Sequence, residues 1–122
     1  MPWSPLSRDE LQSTLTRQLA ECSDEQRDYF RGVAFEPTKW SQSPYGDEGG
    51  GFWAVAADGN RVLWYNDIED GFNVSTYTDW GTIPANEYWC NQDKLKFALP
   101  ALMGHQVWKA GPPKRFDPRE PA

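Results

Sequence analysis

Residues 52–77 read FWAVAADGNRVLWYNDIEDGFNVSTY, and this stretch decides the fold. Its three apolar or alternating runs, 52–57, 61–66 and 72–77, each have the length of a strand. Asp58-Gly59-Asn60 joins the first two with residues suited to a tight hairpin, and Ile68-Glu69-Asp70-Gly71 joins the second to the third. The stretch therefore predicts an antiparallel β-meander. A two-residue hairpin loop puts Trp53, Val55, Ala57, Val62, Trp64 and Asn66 on one face, and Phe52, Ala54, Ala56, Leu63 and Tyr65 on the other. A four-residue loop at 68–71 adds Asn73, Ser75 and Tyr77 to the first face, and Phe72, Val74 and Thr76 to the second. The second face is the cleaner hydrocarbon, so a helix is expected to lie on it. The first mixes large rings with amides and a hydroxyl, an amphipathic surface. The assignment holds only for an unbroken register, because a one-residue bulge sends later side chains to the opposite face.

Before the meander, Ser7-Arg8-Asp9-Glu10 is a capping-box sequence, with Leu6 and Leu11 placed for a hydrophobic staple. Leu11, Leu15 and Leu19 form one helical stripe, which predicts a helix over 8–21. Ser23-Asp24-Glu25-Gln26 repeats the capping pattern and opens a short second helix carrying Tyr29 and Phe30, with Gly32 as its C′ residue. Residues 35–45 hold Pro37 and Pro44, which suits an edge strand or extended segment, and 46–51 form a glycine-rich, flexible loop.

After the meander, 78–89 is a loop with Gly81 and Pro84. Asn91 is the expected cap of a third helix over 92–103, with Leu95, Ala98, Leu99, Leu102 and Met103 as its apolar stripe. Pro100 cannot donate to the carbonyl of Lys96, so a kink or a loosened turn is expected there, and Gly104 ends the helix. The expected class is α+β: two N-terminal helices, an antiparallel β-meander of three to four strands, and a C-terminal helix packed on the sheet. Residues 1–108 form the expected single domain, and 109–122 an expected disordered, proline-rich basic tail.

The length of 122 residues suits one domain, and seven Trp with 15% aromatics argue against whole-chain disorder. No apolar run reaches 18 residues, so no membrane association is expected. Residues 1–13 contain no apolar core of a signal peptide, so a cytoplasmic location with reduced cysteines is expected. The formal net charge of −6 is unevenly spread. Residues 41–90 carry one basic residue, Arg61, against Asp47, Glu48, Asp58, Asp67, Glu69, Asp70, Asp79 and Glu87. Such a segment repels phosphate backbones, which argues against nucleic acid, and attracts a basic protein surface or a cation. The same charge also serves solubility without any partner.

Catalytic and metal-binding patterns are weak. The single histidine, His105, follows a helix end, where its charge favours the helix carbonyls, and no nucleophile motif accompanies it. Cys22 ends the first helix and Cys90 directly precedes the third, and both are expected to be small buried hydrophobes. An EF-hand read from Asn66 places Ile68 and Tyr77 at liganding positions, and one read from Asp67 meets Gly71 a residue early. No catalytic residue, metal ligand or cofactor is expected. Asp67 and Glu69 as a carboxylate pair would require a cleft that the sequence does not reveal.

The alternative is a rim of charge around an aromatic patch. Trp53, Trp64 and Tyr77 supply anchoring area, while Asp67, Glu69 and Asp70 at the adjoining turn steer a basic partner. The plain structural alternative makes the indoles core and the acids a solvated turn. A small acidic α+β chain of this plan resembles bacterial immunity-type proteins that block basic toxins, a likeness of architecture and charge. The resemblance implies a non-catalytic, inhibitor-like interaction domain. A carbohydrate-binding or carboxylate-dependent hydrolytic domain using the same patch is the rival, and a homodimer interface is a third use of it.

Overall fold

The computed structural model describes residues 4–104. The expectations for His105 and for the tail at 109–122 lie outside them. Ser7 and Glu10 form the capping box of α1 (Arg8–Leu19), and Ser23 and Gln26 that of α2 (Asp24–Val33). β1 (Ala34–Trp40), β2 (Phe52–Asp58), β3 (Arg61–Asn66) and β4 (Gly71–Thr76) form an antiparallel sheet in the order β1-β2-β3-β4. A 3₁₀ turn (Ala85–Glu87) precedes α3 (Leu95–Leu102), which packs on the sheet. The α+β architecture is thus the expected one, with four strands.

The face assignment is corrected. Asp58 pairs with Arg61, so the hairpin loop is Gly59-Asn60, and Gly59 takes the positive φ of 61°. Between Ala54 and Ala56 the register slips at Val55. Beyond this bulge Ala54 pairs with Trp64 and Trp53 with Tyr65. Trp53 is therefore carried to the helix-covered face, and Phe52 and Ala54 to the face of Trp64. The β3–β4 loop is 67–70, one residue earlier than expected, since Asn66 pairs with Gly71. The shift preserves parity, so Asn73 and Ser75 do share the face of Trp64 and Val62.

The helix-covered core joins Leu11, Leu15 and Phe30 to Val55, Ala56, Leu63, Tyr65 and Phe72, and to Leu95, Ala98, Leu99 and Leu102. A second cluster on the opposite face joins Trp40, Phe52, Ala54, Val62, Trp64 and Ile83, covered by loops.

Helix ends differ from expectation for local reasons. The expected last turn of α1 tightens, with Glu21 N donating to Gln18 O and Cys22 N to Leu19 O. Gly32 lies inside α2, which runs straight into β1 through an extended Ala34. Asn91 does not cap α3. Its backbone is held by Asn73, and Asp93 O accepts from Phe72 N, so the chain stays along β4 until Lys94. Leu95 N instead donates to Gln18 Oε1 on α1. Gly71 is required here, because a Cβ would stand 2.3 Å from Asn91 O and Gln92 Cα. Cys22 is buried as expected, whereas Cys90 is exposed, since it lies in the loop ahead of α3.

The carbonyl that Pro100 leaves without a helical donor is claimed from outside. Gln26 Nε2 donates to Lys96 O at 2.9 Å, while Gln26 Oε1 accepts from Ser23 N at 3.1 Å. One side chain caps α2 and repairs α3. Gln26→Ala should therefore cost about 1–3 kcal/mol in denaturant unfolding. In a Pro100→Ala background, where residue 100 regains its N–H, the cost should shrink. Strict additivity of the two changes would disprove the shared role.

Candidate functional site

The loop-covered face of the sheet supplies the candidate site. After β4 the chain turns on Tyr77, whose N–H donates to Asn60 O at 2.9 Å and whose hydroxyl donates to Gly59 O at 2.8 Å. It then crosses to β1, where Ser41 N donates to Gly81 O and Ile83 N to Ser41 O, at 2.9 and 2.8 Å. Between these anchors Trp80 is held outward and stays 63% exposed. Its ring rests against Phe35, Trp40 and Tyr77, with centroid distances of 5.4, 4.9 and 5.8 Å. Trp40 is sealed beneath and meets Tyr77 edge-on at 5.1 Å. Its indole N–H has no acceptor among the described residues. These rings form a ledge with a buried base and an exposed lip.

The second cluster reaches the surface again at Tyr45, which is 54% exposed and stacks on Tyr88 at 4.3 Å. Tyr88 packs on Phe52 and Trp64 and accepts from Asn66 Nδ2 at 3.0 Å. Burial pushes its phenol up to about 12, so it stays neutral at physiological pH. Asp47 and Glu48 follow Tyr45, and Asp79 precedes Trp80; all three carboxylates are exposed. No Lys or Arg occurs between residues 62 and 93 or between 41 and 60. Arg61, the one cation in between, donates through Nε to Leu102 O at the end of α3.

The residues singled out from the sequence do not form one patch. Trp53 lies on the helix side, where its Nε1 donates to Leu6 O at 2.8 Å and Lys39 sits 5.1 Å above its ring. Trp64 is fully enclosed, with Nε1 donating to Ser75 Oγ at 2.8 Å, so it can only support the face from below. Asp67 is 8% exposed and accepts from Leu6 N at 2.8 Å through Oδ2. Trp53 and Asp67 thus hold both backbone polar groups of Leu6 and tie down the entry to α1. Glu69 is half-buried in the turn, its N–H donating to Asn66 Oδ1, and Asp70 is exposed at a positive φ of 60°. Only Tyr77 belongs to the ledge. Glu87 is also withdrawn from the surface, accepting from Thr76 N at 2.8 Å.

Trp80, Phe35, Tyr45 and Tyr88 were not legible as site residues. The available signal was a tryptophan in a loop without apolar alternation, Asp79-Trp80-Gly81, where no core position accounts for it. No group of three His, Cys, Asp or Glu residues suited to a metal lies together among the described residues. No helix among them is long and apolar enough to cross a membrane. No protein-family model, curated protein or solved structure matches this chain.

Burial, the largest influence, raises the Asp67 carboxyl above its ordinary range, against the Leu6 N–H and the Lys39 ammonium, which pull it down. The folded state then holds its proton to higher pH than the unfolded chain does. Stability from this group is accordingly lost as pH rises past the ordinary aspartate value of 3.8 and through the raised folded value. Asp67→Asn keeps the acceptor for Leu6 N and removes the titration. The stability of the variant minus that of the parent should grow with pH across this window in denaturant unfolding. A difference independent of pH would refute the buried titration. Asp67→Ala, which strands the Leu6 N–H, should cost about 1–3 kcal/mol.

Proposed function

We propose that this chain is a non-catalytic, cytoplasmic interaction domain that binds a basic protein partner through the acid-bordered aromatic face of its sheet, in the manner of an immunity or inhibitor protein. The observation that carries it is the 63% exposure of Trp80 on a ledge of Phe35, Tyr77 and buried Trp40. A large indole held outward by a pinned loop costs little further entropy on binding and supplies the area of an interface anchor. Its surroundings favour a cationic ligand. The loops that border the face carry exposed carboxylates, Asp79 on one and Asp47 and Glu48 on the other, and the Lys39 ammonium donates to Gly49 O of the second loop at 2.6 Å. An excess of exposed carboxylates steers a basic surface and repels phosphate.

Compared with the expectation from sequence, the proposed anchors move from Trp53 and Trp64 to Trp80 and Tyr45, and the steering charges from the 67–70 turn to the flanking loops. Asp70 remains exposed as an outer charge.

Tryptophan fluorescence titrated with a hexa-arginine peptide tests this. The parent should respond, and the response should weaken between low and high salt because the attraction is screened. Trp80→Ala should abolish it, and Asp79→Lys with Asp47→Lys should weaken affinity by about tenfold or more, while Tm changes little. Binding by Trp80→Ala that equals the parent's would overturn the assignment. A response to oligosaccharides and none to the peptide would transfer the ledge to a sugar, whose rings stack on an exposed indole.

A further inference from the structure

We infer that the Trp40 indole N–H reads the partner's main chain: when Trp80 turns aside, this donor takes a backbone carbonyl of an extended basic segment, whose cationic side chain stacks on the Trp80 ring. This rests on the reading of the ledge as a binding surface for basic proteins, and it names the form in which the partner presents itself there.

Each of β1, β2 and β3 carries one tryptophan, and two of the three have a partner for the indole donor. Trp53 Nε1 donates to Leu6 O and Trp64 Nε1 to Ser75 Oγ, both at 2.8 Å. Trp40 is 0% exposed, and its Nε1 has no acceptor among the described residues. A buried donor left unpaired is costly, and native folds rarely keep one without a reason. The side chains clustered with Trp40 on the sheet, Phe52, Ala54, Val62 and Ile83, are hydrocarbon and offer no acceptor. On the ledge its ring meets Tyr77 edge-on at 5.1 Å and Trp80 at 4.9 Å. The Tyr77 hydroxyl is already engaged with Gly59 O, and a ring face is only a weak acceptor.

Trp80 is a loose cover over this ring. The two ends of its loop are pinned, at Tyr77 and at Ser41, but the indole itself is 63% exposed and rests on three ring contacts. A side chain this exposed changes rotamer on the nanosecond scale or faster. Turning it away opens Trp40 to a ligand while the loop stays anchored.

Charge and hydrogen-bond chemistry together select the ligand. Asp79 precedes Trp80, and Asp47 and Glu48 stand exposed on the other loop, so a carboxylate is disfavoured as the incoming acceptor. Lysine and arginine side chains are donors only. In a segment of basic side chains the acceptor is therefore a main-chain carbonyl. Carbonyls inside a helix or a sheet are already paired, so the segment that fits is extended or a loop. Its guanidinium or ammonium group then meets the face of the displaced Trp80 ring, with the Asp79 carboxylate next to it in the chain.

Nitrogen-correlated NMR of the full chain tests this, with the Trp40 indole resonance assigned through Trp40→Phe. Hexa-arginine should shift the Trp40 indole proton downfield as it gains an acceptor, and leave that of Trp64, already held by Ser75, in place. Spermine, a polycation without a carbonyl, should produce no such shift. Trp80→Ala should speed exchange of the Trp40 indole proton with water. Trp40→Phe should bind hexa-arginine about three- to tenfold more weakly than the parent. Should that variant not fold, the shift measured in the parent decides alone. A Trp40 proton that stays in place while hexa-arginine binds through Trp80 would overturn the assignment. An equal shift with spermine would put a water on the donor and overturn it too, as would unchanged exchange in Trp80→Ala, which removes Trp80 as the cover. Failure of the binding reading itself looks different: hexa-arginine would then bind parent and Trp80→Ala alike.

Discussion

The clasp between the Asn73 side chain and the backbone of Asn91 governs the exposed half of this molecule. Asn73 Nδ2 donates to Asn91 O at 3.1 Å, and Asn91 N donates to Asn73 Oδ1 at 3.0 Å. An amide side chain thereby imitates a strand partner at the open edge of β4. On either side of it, Phe72 N reaches Asp93 O and Thr76 N reaches the Glu87 carboxylate. An edge strand otherwise presents free donors and invites a foreign strand. Here the chain that leaves β4 crosses to β1 at Ser41 and returns to close its own edge. The crossing buries Trp40, Phe52 and Trp64, which have no helix above them, and leaves Trp80 at its bend. It also delays α3 to Leu95 and makes glycine necessary at position 71.

The same route explains why the negative charge of the middle segment is smaller at the surface than in the sequence. Glu87 is drawn in to satisfy a β4 donor, and Asp67 to satisfy Leu6. A buried carboxylate is tolerable only with such partners, because desolvation disfavours its charge. Asp47 and Glu48 stay exposed on the loop between β1 and β2, and Asp79 on the loop after β4.

Much of the fold was legible in the sequence because its signals are local. Ser7 with Glu10 and Ser23 with Gln26 mark helix starts by bonds spanning three residues. Gly59 marks the hairpin by its own backbone freedom. Pro100 announces an orphaned carbonyl at Lys96, although not the donor that Gln26 supplies from 70 residues away. Two strand-to-strand turns and the alternation in β4 were likewise enough for the meander and for the shared face of Asn73 and Ser75.

The site was legible only in kind. That acids and large rings dominate the middle of the chain, and that a basic proline-rich stretch follows, is a property of composition and order alone. Which rings meet solvent was decided by the tertiary structure. A single bulge at Val55 moved Trp53 to the helix side, and the returning loop enclosed Trp64 while displaying Trp80. The physical reason is the two-residue period of a strand. One extra residue inverts every side chain beyond it, at little local cost and with no local signature. Burial is settled by whatever chain, however distant in sequence, comes to lie on top.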